Sequence, residues 1–73
     1  MDEAKMIFQN VRELCDKKGI SLARLEREAG VGNGAVARWA RGKTPRLKSL
    51  KLIADYFGVE MSDLFKGAEY ESN

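Results

Sequence analysis

The 73-residue chain has one cysteine, one proline and no histidine. A single cysteine excludes an intramolecular disulfide, and one thiol without histidine leaves no ligand set for a Cys/His zinc site. We therefore expect no metal and no cofactor, with a fold held together by packing alone. A chain of this length is near the lower limit for a core without such reinforcement.

Long apolar runs are also missing. No run approaches the roughly 20 residues that span a bilayer, and the first residues, MDEAKM, lack the basic and apolar segments of a signal peptide. These features predict a cytoplasmic protein. The chain also lacks histidine and a glycine-rich phosphate loop after a strand, so we expect no enzymatic activity and no catalytic residue.

Basic charge is concentrated in the middle of the chain. Residues 19–51 hold eight basic and two acidic side chains, whereas residues 52–73 hold one basic and five acidic ones. This asymmetry indicates either a face that binds a polyanion or a solvated surface of mixed charge. Charge counts alone do not separate these two interpretations.

Apolar residues recur at helical spacing, and no alternating strand pattern is present. The pattern predicts an all-α, compact five-helix bundle with helices at about 2–17, 21–29, 33–41, 47–57 and 61–65. The predicted inward-facing residues are Ile7, Phe8, Val11, Leu14, Cys15, Leu22, Leu25, Ala29, Val36, Trp39, Leu47, Leu50, Ile53, Ala54, Phe57, Leu64 and Phe65. Residues 1–67 are expected to form one domain, and residues 68–73 a polar, flexible tail.

The second and third helices form the most informative motif. Ser21 can cap the second helix, and Gly30 stands where a left-handed residue ends a helix at little steric cost. A new apolar face, Val36 and Trp39, follows the glycine-marked turn. Helix, tight turn and helix is the geometry in which one helix braces another in the DNA major groove. Sequence-specific binding of double-stranded DNA is therefore the leading hypothesis.

Several residues allow a structural and a functional interpretation. Trp39 could stack on single-stranded nucleic acid, but its spacing to Val36 favours the core. Cys15 could be reactive, although a free cysteine commonly packs as a small hydrophobe. Arg24 and Arg27 fit solvated helix charges and DNA contacts equally well, and both interpretations stay open.

Motifs along the chain resemble the lambda-repressor-like, Xre/Cro-type DNA-binding domains over about residues 5–66. The matching elements are Gly19-Ile20-Ser21, Leu25, Ala29-Gly30-Val31, Val36, Arg41-Gly42-Lys43, Pro45, Leu50, Ile53-Ala54-Asp55-Tyr56-Phe57-Gly58-Val59 and Asp63-Leu64-Phe65. Each piece is weak alone, but their order and spacing together are specific. The run from Leu25 to Gly34, with Trp39, is also similar to phage-type repressors of Gram-positive bacteria.

The resemblance implies a five-helix fold and a transcriptional regulator, typically a repressor, that binds palindromic operators as a homodimer. It places base-contacting residues on the outward face of the third, recognition helix, namely Asn33, Gly34, Ala37 and Arg38. It places phosphate contacts at the start of the second helix and after the third, namely Ser21, Arg41, Lys43, Thr44 and Arg46. Chemically, Arg38 suits guanine, while Asn33 suits adenine or a helix cap.

This chain departs from the family pattern at three positions. Leu22 replaces a glutamine that touches DNA, so only backbone N–H groups at that helix start could hold phosphate. Glu26 replaces an alanine between the two helices, which implies a shifted crossing or a specific partner, with Gly34 giving space. Arg46 replaces a capping serine or threonine, a loss of about 1 kcal/mol that a phosphate contact would explain.

A protein-interaction module, such as an antitoxin or anti-repressor with secondary or lost DNA binding, is the alternative function. The small number of base-reading side chains favours it, whereas the basic loop at 41–46 opposes it. The dimer surface is predicted within residues 57–70, where Met61, Phe65 and Tyr70 mix with acids.

Overall fold

The computed structural model describes residues 3–66, which form four α-helices and a 3₁₀ helix. The elements are α1 (Glu3–Lys18), α2 (Leu22–Ala29), α3 (Ala35–Trp39), α4 (Leu47–Phe57) and the 3₁₀ helix (Met61–Phe65). The all-α prediction is confirmed, with the fifth predicted helix formed as a 3₁₀ helix. The predicted tail at 68–73 lies outside the described residues.

Local signals determine the ends of α2 and α4. The Ser21 hydroxyl accepts a hydrogen bond from the Arg24 backbone N–H at 3.1 Å, and thus caps α2. Gly30 ends α2 with φ +83°, and Gly58 ends α4 with φ +69°. Glycine adopts this left-handed conformation without a Cβ clash. The predicted end of α2 and both predicted ends of α4 are therefore correct.

α3 is shorter than predicted, because it occupies Ala35–Trp39 instead of 33–41. Gly34 precedes it with φ +81°, a conformation that cannot continue a right-handed helix. At the other end, a turn begins at Ala40, whose N–H donates to the Ala37 carbonyl at 3.2 Å. α3 is therefore little more than one turn long.

The core is formed by residues from all five elements. Its buried apolar residues are Ala4, Ile7, Val11, Cys15, Leu25, Val36, Trp39, Leu50, Ile53, Ala54 and Leu64. Trp39 is 3% exposed and Cys15 is 1% exposed, so both core predictions are confirmed. Leu47, predicted to face inward, is 71% exposed. It is the first residue of α4, and an apolar stripe does not reveal whether a neighbouring element covers that end.

The 3₁₀ helix closes the bundle against α1. Leu64 is fully buried, and the Asn10 side-chain amide donates to the Leu64 carbonyl at 2.9 Å and to the Lys66 carbonyl at 2.8 Å. These hydrogen bonds join residues more than 50 positions apart. None of the helices within residues 3–66 combines the length and apolar character needed to cross a membrane.

Candidate nucleic-acid interface

Glu26 holds both ends of the turn between α2 and α3. Its backbone carbonyl accepts the N–H groups of Gly30 and Val31, each at 3.1 Å. Its carboxylate accepts the Gly34 N–H at 2.8 Å through Oε1 and the Val36 N–H at 2.9 Å through Oε2. Glu26 is 5% exposed. Of the two expectations for this residue, the structure therefore shows a specific partner, which is the start of α3.

The outward face of α3 presents Ala37 and Arg38, both exposed, as predicted. Ala35 is half-buried, while Val36 and Trp39 turn into the core. Because this helix has five residues, few side chains project from its exposed face.

Asn33 and Gly34 do not lie on α3, contrary to the prediction, but immediately before it in the turn. Asn33 is exposed and lines a shallow depression of about 330 Å³ together with Arg27 and Val31. Gly34, not Asn33, is the N-cap residue of α3. The Gly34 N–H is already donated to Glu26.

The segment after α3 is basic and is tied back to that helix. The Arg38 carbonyl accepts the Arg41 N–H at 3.0 Å and the Lys43 N–H at 3.1 Å. The side chains of Arg41, Lys43, Thr44 and Arg46 are exposed. A hydrogen-bonded turn therefore carries these polar and cationic groups next to α3.

A basic cleft of about 500 Å³ lies between α3, this segment and the first turn of α4. Its lining residues are Gly32, Ala35, Arg38, Trp39, Lys43, Thr44, Arg46 and Ser49. Three of these lining residues are cationic, and none of those from the described range 3–66 is acidic. An arrangement of this kind concentrates positive potential and attracts anions.

The basic cleft brings together four of the nine predicted site residues: Arg38, Lys43, Thr44 and Arg46. Arg46 precedes α4 and makes no side-chain capping hydrogen bond with the helix in the described part of the chain. The remaining five are not among the cleft's lining residues: Ser21, Asn33, Gly34, Ala37 and Arg41.

Four of the cleft's lining residues are not among the predicted site residues: Gly32, Ala35, Trp39 and Ser49. Ser49 is half-buried and follows Arg46 by three positions, but Arg46 is the extended N-cap residue of α4, so helical spacing does not predict that the two side chains share a face. Trp39 contributes a small exposed edge to the cleft although most of its ring is in the core.

A second polar network lies on the surface of α2 and α4. Arg24 Nε donates to Glu28 Oε2 at 2.9 Å, and the Tyr56 hydroxyl donates to Glu28 Oε1. The Tyr56 bond, followed by the Arg24 bond, lowers the pKa of Glu28, while the bond to Glu28 raises the pKa of Tyr56. Arg24 is thus held in an exposed ion pair. Glu26 and Glu28 bind different partners, as expected for residues two apart on a helix.

Within residues 3–66, no three acidic or thiol side chains are grouped closely enough to hold a metal ion.

Two helices joined by a tight turn, with a basic cleft beside the second, define a helix-turn-helix DNA-binding domain. The sequence model of the helix-turn-helix family matches residues 11–64. The chain belongs to this family, which is of the Xre and lambda-repressor type, and it is a DNA-binding transcription regulator. No curated protein and no solved structure shows significant similarity to the chain.

Proposed function

We propose that the protein is a transcriptional repressor that binds a palindromic operator in double-stranded DNA as a homodimer. The basic cleft carries this proposal, because Arg38, Lys43 and Arg46 converge there beside the exposed face of α3. Cations in a concave surface attract the phosphate backbone, and an adjacent exposed helix brings side chains to base edges. A repressor seated on its operator would block polymerase.

Arg38 is the main base-reading residue in this proposal. Its exposed guanidinium can donate two hydrogen bonds to O6 and N7 of guanine. Ala37 contacts a thymine methyl, and Asn33 reaches adenine from the turn before α3. Gly34 allows close backbone approach. So few base-reading groups imply that DNA shape and phosphate contacts supply much of the selectivity.

Phosphate contacts come from two parts of the fold. Lys43, Thr44 and Arg46 bind the backbone from the cleft, and Arg41 binds it from the same segment. The half-buried Ser49 hydroxyl adds a donor in the cleft. On the other side, backbone N–H groups at the Ser21 end of α2 serve as donors, because a helix N-terminus favours an anion.

Homodimerisation explains how so small a reading surface reaches useful specificity. Two copies would place their α3 helices in successive major grooves about 34 Å apart. Met61 and Phe65, in the surface predicted for the dimer, are half-buried within the described chain. Tyr70, from the same prediction, lies outside the described residues. Sedimentation at tens of micromolar should show a dimer without DNA, and a monomer alone would exclude an autonomous dimer.

Selection from a random duplex library tests the proposal directly. Purified protein is incubated with the library at about 150 mM salt, where weak non-specific binding is reduced, and the retained DNA is sequenced. We expect a palindromic motif with half-sites one helical turn apart. The Arg38→Ala variant, selected in parallel, should lose the preference at one position of each half-site. Folded protein that enriches nothing would instead favour a protein-interaction module.

A further inference from the structure

We infer that Glu26 is a positioning residue for DNA recognition: its carboxylate fixes the orientation of α3 and hence of Arg38. This inference rests on the proposed function. Its structural part, the bridge from Glu26 to the start of α3, can be tested without DNA.

The bridge adds side-chain hydrogen bonds to the turn and to the core packing that already join α2 and α3. The Glu26 carbonyl closes the end of α2, and its carboxylate receives N–H groups at the start of α3. The hydrogen bonds to Gly34 and Val36 link residues eight and ten positions apart. One buried side chain therefore fixes the start of α3 against α2 through two hydrogen bonds.

α3 is too short to maintain its own conformation. A helix of five residues forms few internal hydrogen bonds to offset the entropy lost in nucleation. Its first N–H groups also have no partner within the helix. Glu26 supplies a partner for Val36, and its negative charge complements the positive end of the helix. Because Glu26 is 5% exposed, water has little access to replace the carboxylate.

Replacement by glutamine would disturb this arrangement specifically. A carboxylate accepts through two oxygens, whereas an amide offers one acceptor and one N–H₂ donor. In the Glu26→Gln variant, the backbone N–H of either Gly34 or Val36 would face the N–H₂ donor of the new amide. The side chain would keep nearly the same size, so the substitution tests the hydrogen bonds with little change in packing.

The expected effect on DNA binding is selective. Base contacts need the Arg38 guanidinium at a defined angle, since bidentate pairing is directional. Phosphate contacts from the segment after α3 depend mainly on charge. Displacing α3 therefore reduces affinity for the operator more than affinity for unrelated DNA.

The experiment compares wild type, Glu26→Gln and Glu28→Gln on the selected operator and on an unrelated duplex. Glu28→Gln is the matched control because it removes the same charge two residues away, at an exposed position that does not bridge to α3. We expect Glu26→Gln to lower the ratio of operator to unrelated affinity by about tenfold or more, as for a lost charged hydrogen bond. Glu28→Gln should leave that ratio within about twofold. Equal ratios for wild type and Glu26→Gln would overturn the inference.

Amide hydrogen exchange of the free wild-type protein provides a measurement that needs neither DNA nor a folded variant. The Val36 N–H should exchange far more slowly than an open amide, because the buried Glu26 carboxylate accepts it. Rapid exchange of this N–H in the folded protein would overturn the inference. If this N–H exchanges slowly but the protein selects no operator, the bridge from Glu26 to α3 is present and the proposed function is wrong.

Discussion

The Tyr56 hydroxyl donates a hydrogen bond to the Glu28 carboxylate, which joins α4 to α2 on the surface of the protein. Glu28 also accepts from Arg24 at 2.9 Å, and Lys18 Nζ lies 5.5 Å from the centre of the Tyr56 ring. This network links three helices through titratable groups. Its contribution to stability therefore depends on pH.

The Tyr56→Phe variant should lack the part of the stability that the wild-type protein loses at alkaline pH when Tyr56 ionises. The bond to Glu28 raises the folded pKa of Tyr56 above its ordinary value of 10.0. Stability from the neutral phenol is thus fully present below that value and is lost as pH rises through the raised pKa. Urea unfolding on both sides of pH about 10 should show a wild-type decline that is smaller in the variant. Parallel curves would contradict the prediction.

Ionisation of Glu28 should make stability depend on pH in the acid range. Its pKa is lowered from 4.5, first by the Tyr56 bond and then by the Arg24 bond. Its stabilising contribution is therefore present above 4.5 and is lost as pH falls through the lowered pKa. Acid unfolding of Glu28→Gln should lack this contribution and should approach that of wild type at the lowest pH. A constant difference at all acid pH values would contradict it.

Trp39→Ala should destabilise the protein by about 3–5 kcal/mol, as for other large core truncations. The side chain is 3% exposed and belongs to the buried core, in which α3 packs against α1 and α2. Urea unfolding followed by circular dichroism measures the change. Leu47→Ala is the control, because Leu47 is 71% exposed and its removal should cost less than about 1 kcal/mol. Similar costs for both variants would show that the assignment of buried faces is wrong.

Arg38→Ala should separate folding from recognition. The side chain is exposed, so the free energy of unfolding should change by less than about 0.5 kcal/mol. Discrimination at one base pair should fall by about 1–3 kcal/mol. Binding to operators substituted one position at a time measures this loss. Arg12→Ala, at an exposed site on α1, should retain full discrimination, and unfolding of Arg38→Ala would refute the assignment.

Lys43→Ala should lower the salt dependence of DNA binding. Each neutralised phosphate contributes about 0.9 to the slope of log affinity against log salt concentration, so the slope should fall by about that amount. Lys17→Ala, an exposed lysine at the end of α1, is the control for overall charge. Titrations at several salt concentrations distinguish the two. An unchanged slope for Lys43→Ala would place its ammonium away from phosphate.

Sequence predicts the fold well where the signals are local. Ser21 and Gly30 flank α2, while Pro45 and Gly58 bracket α4, and these residues act through their own backbone and nearest neighbours. The start of α3 depends instead on Glu26, eight residues before Gly34. Prediction from local propensity starts α3 at Asn33, because such a prediction contains no information about hydrogen bonds to the carboxylate of a residue on another helix.

The site is predictable to a similar extent. The basic character of the segment after α3 is visible in the sequence, and the structure brings Arg38, Lys43 and Arg46 to one cleft. Ser49 is not predictable, because its place in the cleft depends on the angle at which α4 follows that segment. The prediction that Leu47 faces inward is wrong for a related reason. Periodicity identifies which face of a helix is apolar, but it does not show how far along that face the neighbouring elements extend.

Cys15 gives the protein an intrinsic reporter of unfolding. It is the one thiol in the chain and is 1% exposed, and burial, followed by the charge of Asp16, raises its pKa. A thiol reagent can therefore modify it only when α1 separates from the bundle. The rate of modification consequently measures the opening equilibrium in native buffer, and bound operator DNA should slow that rate by mass action.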